Sequence, residues 1–144
     1  MTAISLSTAQ HVVVPASGPD GAAPLDVVTI ARTASAALQP APDGALPGPE
    51  ELARSIGLLT EQIGLLLPIA QAAHRRNRPA GASGPGLVGH GLAYVRRRMT
   101  HTPPDPFVSP AEADTWARES ARCVQQLLGL ALDGHGPRHA AAAR

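Results

Sequence analysis

The chain has 144 residues, a formal net charge of +1, 15 Pro, 14 Gly and one Cys. That length suits one small domain. A near-neutral charge gives no global field for nucleic acid or an anionic membrane, and one Cys excludes both an internal disulfide framework and a Cys-based zinc site. With one Phe, one Tyr and one Trp, the core must come from Leu, Ile, Val and Ala, which favours helices over a sheet sandwich. All 12 basic residues are Arg, a bias that, with abundant Ala, Gly and Pro, fits a GC-rich genome rather than a selected chemistry.

Residues 1–24 include Ser17-Gly18-Pro19-Asp20-Gly21 and show little periodicity. The short apolar run Val12-Val13-Val14 has no visible strand partner, so this arm is expected to be disordered. A first helix is predicted over Val27–Leu38, capped by Asp26, with Val27, Ile30, Ala31, Ala34 and Leu38 on one side. The prolines at 40 and 42 end it.

The second helix has the strongest pattern. It starts at Pro49, with Glu50 and Glu51 at the positive end of its dipole. Leu52, Ile56, Leu59, Ile63, Leu66 and Ala70 follow at alternating steps of four and three. Leu58 and Leu65 widen that stripe, so this helix should be central and contacted on more than one side. Pro68 removes the bond to the Gly64 carbonyl. His74-Arg75-Arg76 stands at the negative end.

After a Pro- and Gly-rich loop, a third helix is predicted from about Leu87 to Met99, with Val88, Leu92, Val95 and Met99 facing inward and Gly89 and Gly91 weakening it. Thr102-Pro103-Pro104-Asp105-Pro106 breaks the chain again. The fourth helix opens on Ser109-Pro110-Ala111-Glu112, which combines a capping box with Pro at the first position. Its buried face is Ala113, Trp116, Ala117, Ser120, Cys123, Val124, Leu127 and Leu130, with Asp114 and Arg118 paired on the surface side. Asp133-Gly134 stops it, and residues 135–144 are expected to be a disordered tail. The sequence therefore predicts an all-α protein, a small antiparallel bundle of three to four helices over residues 25–134.

No uninterrupted run reaches the ~18 apolar residues of a membrane span. The N-terminal residues lack the basic start and apolar stretch of a secretory signal. The expectation is a cytoplasmic protein without a membrane partner.

Gly84-Pro85-Gly86-Leu87-Val88-Gly89 matches G-x-G-x-x-G. That pattern cradles a pyrophosphate when a strand precedes it, and here helix and loop precede it, so it reads as a linker. Cys123 on an apolar face, with no basic neighbour evident in the sequence, reads as a small core hydrophobe. His135 and His139 are separated by Gly136-Pro137, which prevents a helix that would converge their rings. His90 and Tyr94 are i, i+4 neighbours, and Trp116 reads as a core or interface anchor.

Two basic clusters remain as candidate partner-binding residues: Arg75, Arg76 and Arg78, then Arg96, Arg97 and Arg98. They could take phosphate or an acidic partner. The plainer reading is that they complement the ends of their helices. Without interleaved aromatics, nucleic acid is the lesser expectation, and replacing Arg96, Arg97 and Arg98 together should cost no more than about 1 kcal/mol. No catalytic constellation, cofactor motif or metal cluster is apparent.

Leu25-Asp26-Val27-Val28-Thr29-Ile30-Ala31-Arg32-Thr33, the Pro-Glu-Glu-Leu start at Pro49, Leu65-Leu66-Leu67-Pro68, Tyr94-Val95-Arg96-Arg97-Arg98 and the final amphipathic helix carry a resemblance. On these residues, about three quarters of the chain resembles a family of short actinobacterial proteins of unknown activity, associated with natural-product biosynthesis. It departs at Asp133-Gly134-His135, where the family pattern has an aromatic, acidic segment. The resemblance implies a helical fold and a Streptomyces-type source, and carries over no catalytic residue. The leading expectation is a helical accessory or regulatory protein that binds another protein or itself. A weak nucleic-acid binder using the Arg clusters is the alternative, followed by a small-ligand carrier or unrecognised enzyme.

Overall fold

A computed structural model of the chain describes residues 25–79, 81–84 and 86–133. The expected arm, residues 1–24, and the expected tail, residues 135–144, lie outside the described residues, as do His135 and His139. Four helices make up the fold: α1 (Val27–Leu38), α2 (Pro49–Asn77), α3 (Gly86–Arg98) and α4 (Pro110–Asp133). No strand occurs among the described residues. The protein is all-α, as its periodicity predicts.

Local chemistry sets the helix ends. The Thr29 backbone N–H donates to Asp26 Oδ1 at 3.1 Å, and the Thr29 hydroxyl donates to Oδ2 at 2.6 Å, so Asp26 caps α1. Pro49 opens α2, with Glu50 and Glu51 in its first turn. Before α4, no Ser109–Glu112 box forms, and Asp105 orders the turn that leads into the helix. Its carboxylate accepts from the Phe107 N–H at 2.9 Å, and its carbonyl accepts from the Val108 and Ser109 N–H groups at 3.0 and 2.8 Å.

α2 and α4 share the most extensive contact among the described residues. α2 supplies bulk through Leu52, Ile56, Leu59, Ile63 and Leu66, and α4 supplies small residues, Ala113, Ala117, Ser120, Ala121 and Ala131, with Val124 and Leu127 between them. Large side chains seated against small ones let two helices approach closely and fill the space between them. α1 crosses α4 in the opposite direction: Ala31 and Ala34 share a groove with Leu128 and Leu132, whereas Leu38 lies beside Arg118. α3 packs its backbone chiefly against α2 and reaches α4 through side chains, antiparallel to it, with Gly91 beside the Gln126 side chain and Arg98 beside Trp116. Successive helices thus alternate in direction, and α2 and α4 point the same way.

Three expectations need correction. Leu58 and Leu65 are 44% and 54% exposed, so the central helix is covered on one broad side only. Met99 is exposed as well, and Arg98, one residue earlier, takes the inward place. The Asp114–Arg118 pair is partly buried and ties two helices together: Arg118 Nε donates to Asp114 Oδ2 at 3.0 Å, and Nη1 donates to the Leu38 carbonyl at the end of α1 at 3.3 Å. α2 is also long and apolar enough to cross a membrane by length and composition alone, although no uninterrupted run in the sequence indicated it. Much of its apolar surface is spent on the core.

Candidate functional site

The six arginines singled out in the sequence do not act together. Arg98, one of the candidate partner-binding residues, turns into the protein. Its Nη1 donates to Glu119 Oε1 at 2.9 Å, and its Nη2 donates to the Trp116 carbonyl at 2.7 Å and to the Ser120 hydroxyl at 2.9 Å. The guanidinium lies over the Trp116 ring, 3.8 Å from the centroid, a cation–π contact. Its side chain is 7% exposed. Arg98 joins α3 to α4 and has no solvated surface to offer a partner. Arg76 and Arg97 are exposed and line none of the cavities described below.

Arg75, Arg78 and Arg96 do converge. They line a groove of about 310 Å³ between the last turns of α2 and the facing side of α3, together with Gln71, His74, Gly89 and Leu92. His74 and Arg78 also line an adjoining cavity of about 360 Å³ that reaches the start of α3 at Gly86, Leu87 and Val88. The Arg78 guanidinium donates to the Gly84 carbonyl, which holds it across the loop. The Gly84–Gly89 motif therefore stands at a helix start with arginines beside it, although no strand precedes it among the described residues.

A larger cleft lies elsewhere. About 650 Å³ opens where the end of α1, the α1–α2 loop and the start of α2 meet α4. Its walls mix apolar groups, among them Ala36, Ala37, Leu46, Leu52 and Leu58, with the polar Thr33, Gln39 and Ser55, and its charged groups are Arg32, Glu51 and the Asp114–Arg118 pair. Leu46 and Leu58 are about half exposed at its edge, and Leu65 continues that edge two turns along α2. This strip escaped the sequence reading because a leucine at the border of a helical stripe has the same periodicity whether a neighbour covers it or not.

Cys123 is buried in the core, and burial pushes its thiol above the ordinary value. Arg98 lowers it and Glu119 raises it, both less than burial does. A basic neighbour is thus present, contrary to the sequence expectation, yet burial prevails and the thiol stays protonated near neutral pH. His90 and Tyr94 are both exposed. Among the described residues, no three His, Cys, Asp or Glu side chains gather in a group that could hold a metal ion.

Compared with family models, with curated proteins and with solved structures, the chain finds no match.

Proposed function

We propose that this protein is a helical accessory or regulatory protein that acts by binding a partner, either another protein or a second copy of itself. Following the resemblance carried by Leu25–Thr33 and the Pro49 start, its setting would be natural-product biosynthesis in the cytoplasm. The observation that carries the binding role is the leucine edge of the 650 Å³ cleft, where Leu46, Leu58 and Leu65 are 47%, 44% and 54% exposed. Large apolar side chains lined up beside a concave, Ala-walled surface are what a partner helix or loop can bury. Nucleic acid is supported less well, because Arg98 is committed to Trp116, Glu119 and Ser120, and Arg76 and Arg97 lie outside the groove that gathers Arg75, Arg78 and Arg96, which leaves no extended basic track.

Photo-crosslinking in the source organism tests this reading. A probe at position 58 should give one discrete adduct. That adduct should vanish in a Leu65→Glu background and should not form from a probe at Arg122, which is exposed on α4. No discrete adduct from position 58, or the same adduct from position 122, would contradict the proposal.

A further inference from the structure

The basic groove between α2 and α3 is unusual in its balance of charge. Three guanidinium groups line it, and no carboxylate lines either it or the adjoining cavity. Neither Arg75 nor Arg96 belongs to an ion pair among the described residues, whose salt bridges are Arg98–Glu119 and Arg118–Asp114. Like charges gathered without a counter-charge repel one another, and an anion in the groove relieves that repulsion.

The geometry favours a small anion. Arg75 and Arg96 come from facing helices, so a ligand between them is gripped from two sides. Arg78 is oriented by the Gly84 carbonyl, so part of the cost of fixing its side chain is already met. The Nε2 atom of His74 is buried, with no hydrogen-bond partner among the described residues. His74 lines both cavities, and a small turn of its ring brings this unpaired nitrogen to a ligand oxygen, to which it can donate in the tautomer that carries its hydrogen. The first turn of α3 opens into the adjoining cavity and adds backbone N–H groups of the right polarity, a supporting feature that alone would not make a site.

We propose that this groove binds a small phosphate-bearing anion, clamped by Arg75 and Arg96 and contacted by Arg78 and His74. Forked guanidinium donors match the paired oxygens of a phosphoryl group. A nucleic-acid backbone fits less well, since Arg76 and Arg97 lie outside the groove and Arg98 is buried, which leaves no extended basic track. This proposal does not depend on the leucine edge or on what binds there.

Titration of the full chain with inorganic pyrophosphate at constant ionic strength, followed by amide NMR shifts, tests it. Saturable shifts should centre on Gln71, His74, Gly89, Leu92 and Arg96. The double variant Arg75→Gln/Arg96→Gln should melt with the parent protein and bind at least about tenfold more weakly. Arg78→Gln alone should also weaken binding. The variant Arg76→Gln/Arg97→Gln, which removes the same charge outside the groove, should stay within about twofold of the parent. Non-saturable shifts, an equal loss in both double variants, or tighter binding of a short DNA duplex that both double variants lose would overturn the assignment.

Discussion

The α2–α4 pair and the α3 helix solve the same problem, docking a helix, by different means. α2 and α4 are held by apolar fill, with Leu52, Leu59, Ile63 and Leu66 against Ala113, Ala117, Ala121, Val124 and Leu127, all nearly inaccessible to solvent. α3 has only Leu92 and Val95 as fully inward apolar groups. Two such side chains are a small apolar face for a helix of thirteen residues. Its own helical hydrogen bonds contribute, and Arg98 completes the docking with three directional bonds and a stacked ring. Apolar fill tolerates many arrangements of similar volume, whereas a polar anchor of this kind fixes one orientation.

The contrast predicts a ranked set of effects. Leu59→Ala, at a fully buried site in the α2–α4 interface, should cost ~2–5 kcal/mol in chemical denaturation. Arg98→Met should cost less, roughly 1–3 kcal/mol, because it removes the bonds to Ser120 and Trp116 but leaves Glu119, whose side chain is 45% exposed, free to hydrate. A loss at Arg98 as large as that at Leu59 would mean that α3 is part of the main core. The expectation that Arg96, Arg97 and Arg98 all serve a solvated helix end fails at Arg98 alone, and Arg97→Gln should change stability by less than about 0.5 kcal/mol.

Glycines sharpen the comparison further. An added Cβ at Gly57, exposed on α2, meets nothing within 4 Å, so Gly57→Ala should stabilise by up to about 1 kcal/mol. At Gly91 the same Cβ would lie 2.7 Å from Gln126 Nε2. Gly91→Ala should therefore gain less, because the Gln126 side chain must move. Equal gains in thermal melts would show that the Gln126 side chain does not lie over Gly91 as described.

Most of the fold could be read from periodicity. The α2 stripe from Leu52 to Ala70 and the bounds of α1 follow from the spacing of apolar residues and from capping chemistry, which are local properties. What could not be read depends on which neighbour covers a face. Leu58 and Leu65 sit at the border of the α2 stripe, and only the packing of the other helices decides that they stay exposed. Arg98 falls three residues after Val95, a spacing as inward as that of Met99. Its charge argued for solvent, because Trp116, Glu119 and Ser120 are far away in sequence. The basic groove was legible only as two separate clusters. Folding α3 back on α2 selects Arg75, Arg78 and Arg96 from them, together with a histidine read only as a helix-end cation.

Native-state amide exchange on the parent protein and on Arg98→Met tests most directly whether α3 is a separately anchored element. The account predicts that amides from Leu92 to Arg97 lose protection in the variant while those around Leu59 to Leu66 keep theirs, since the α2–α4 interface does not depend on the anchor. A uniform loss across α2, α3 and α4, or unchanged protection in α3, would contradict it.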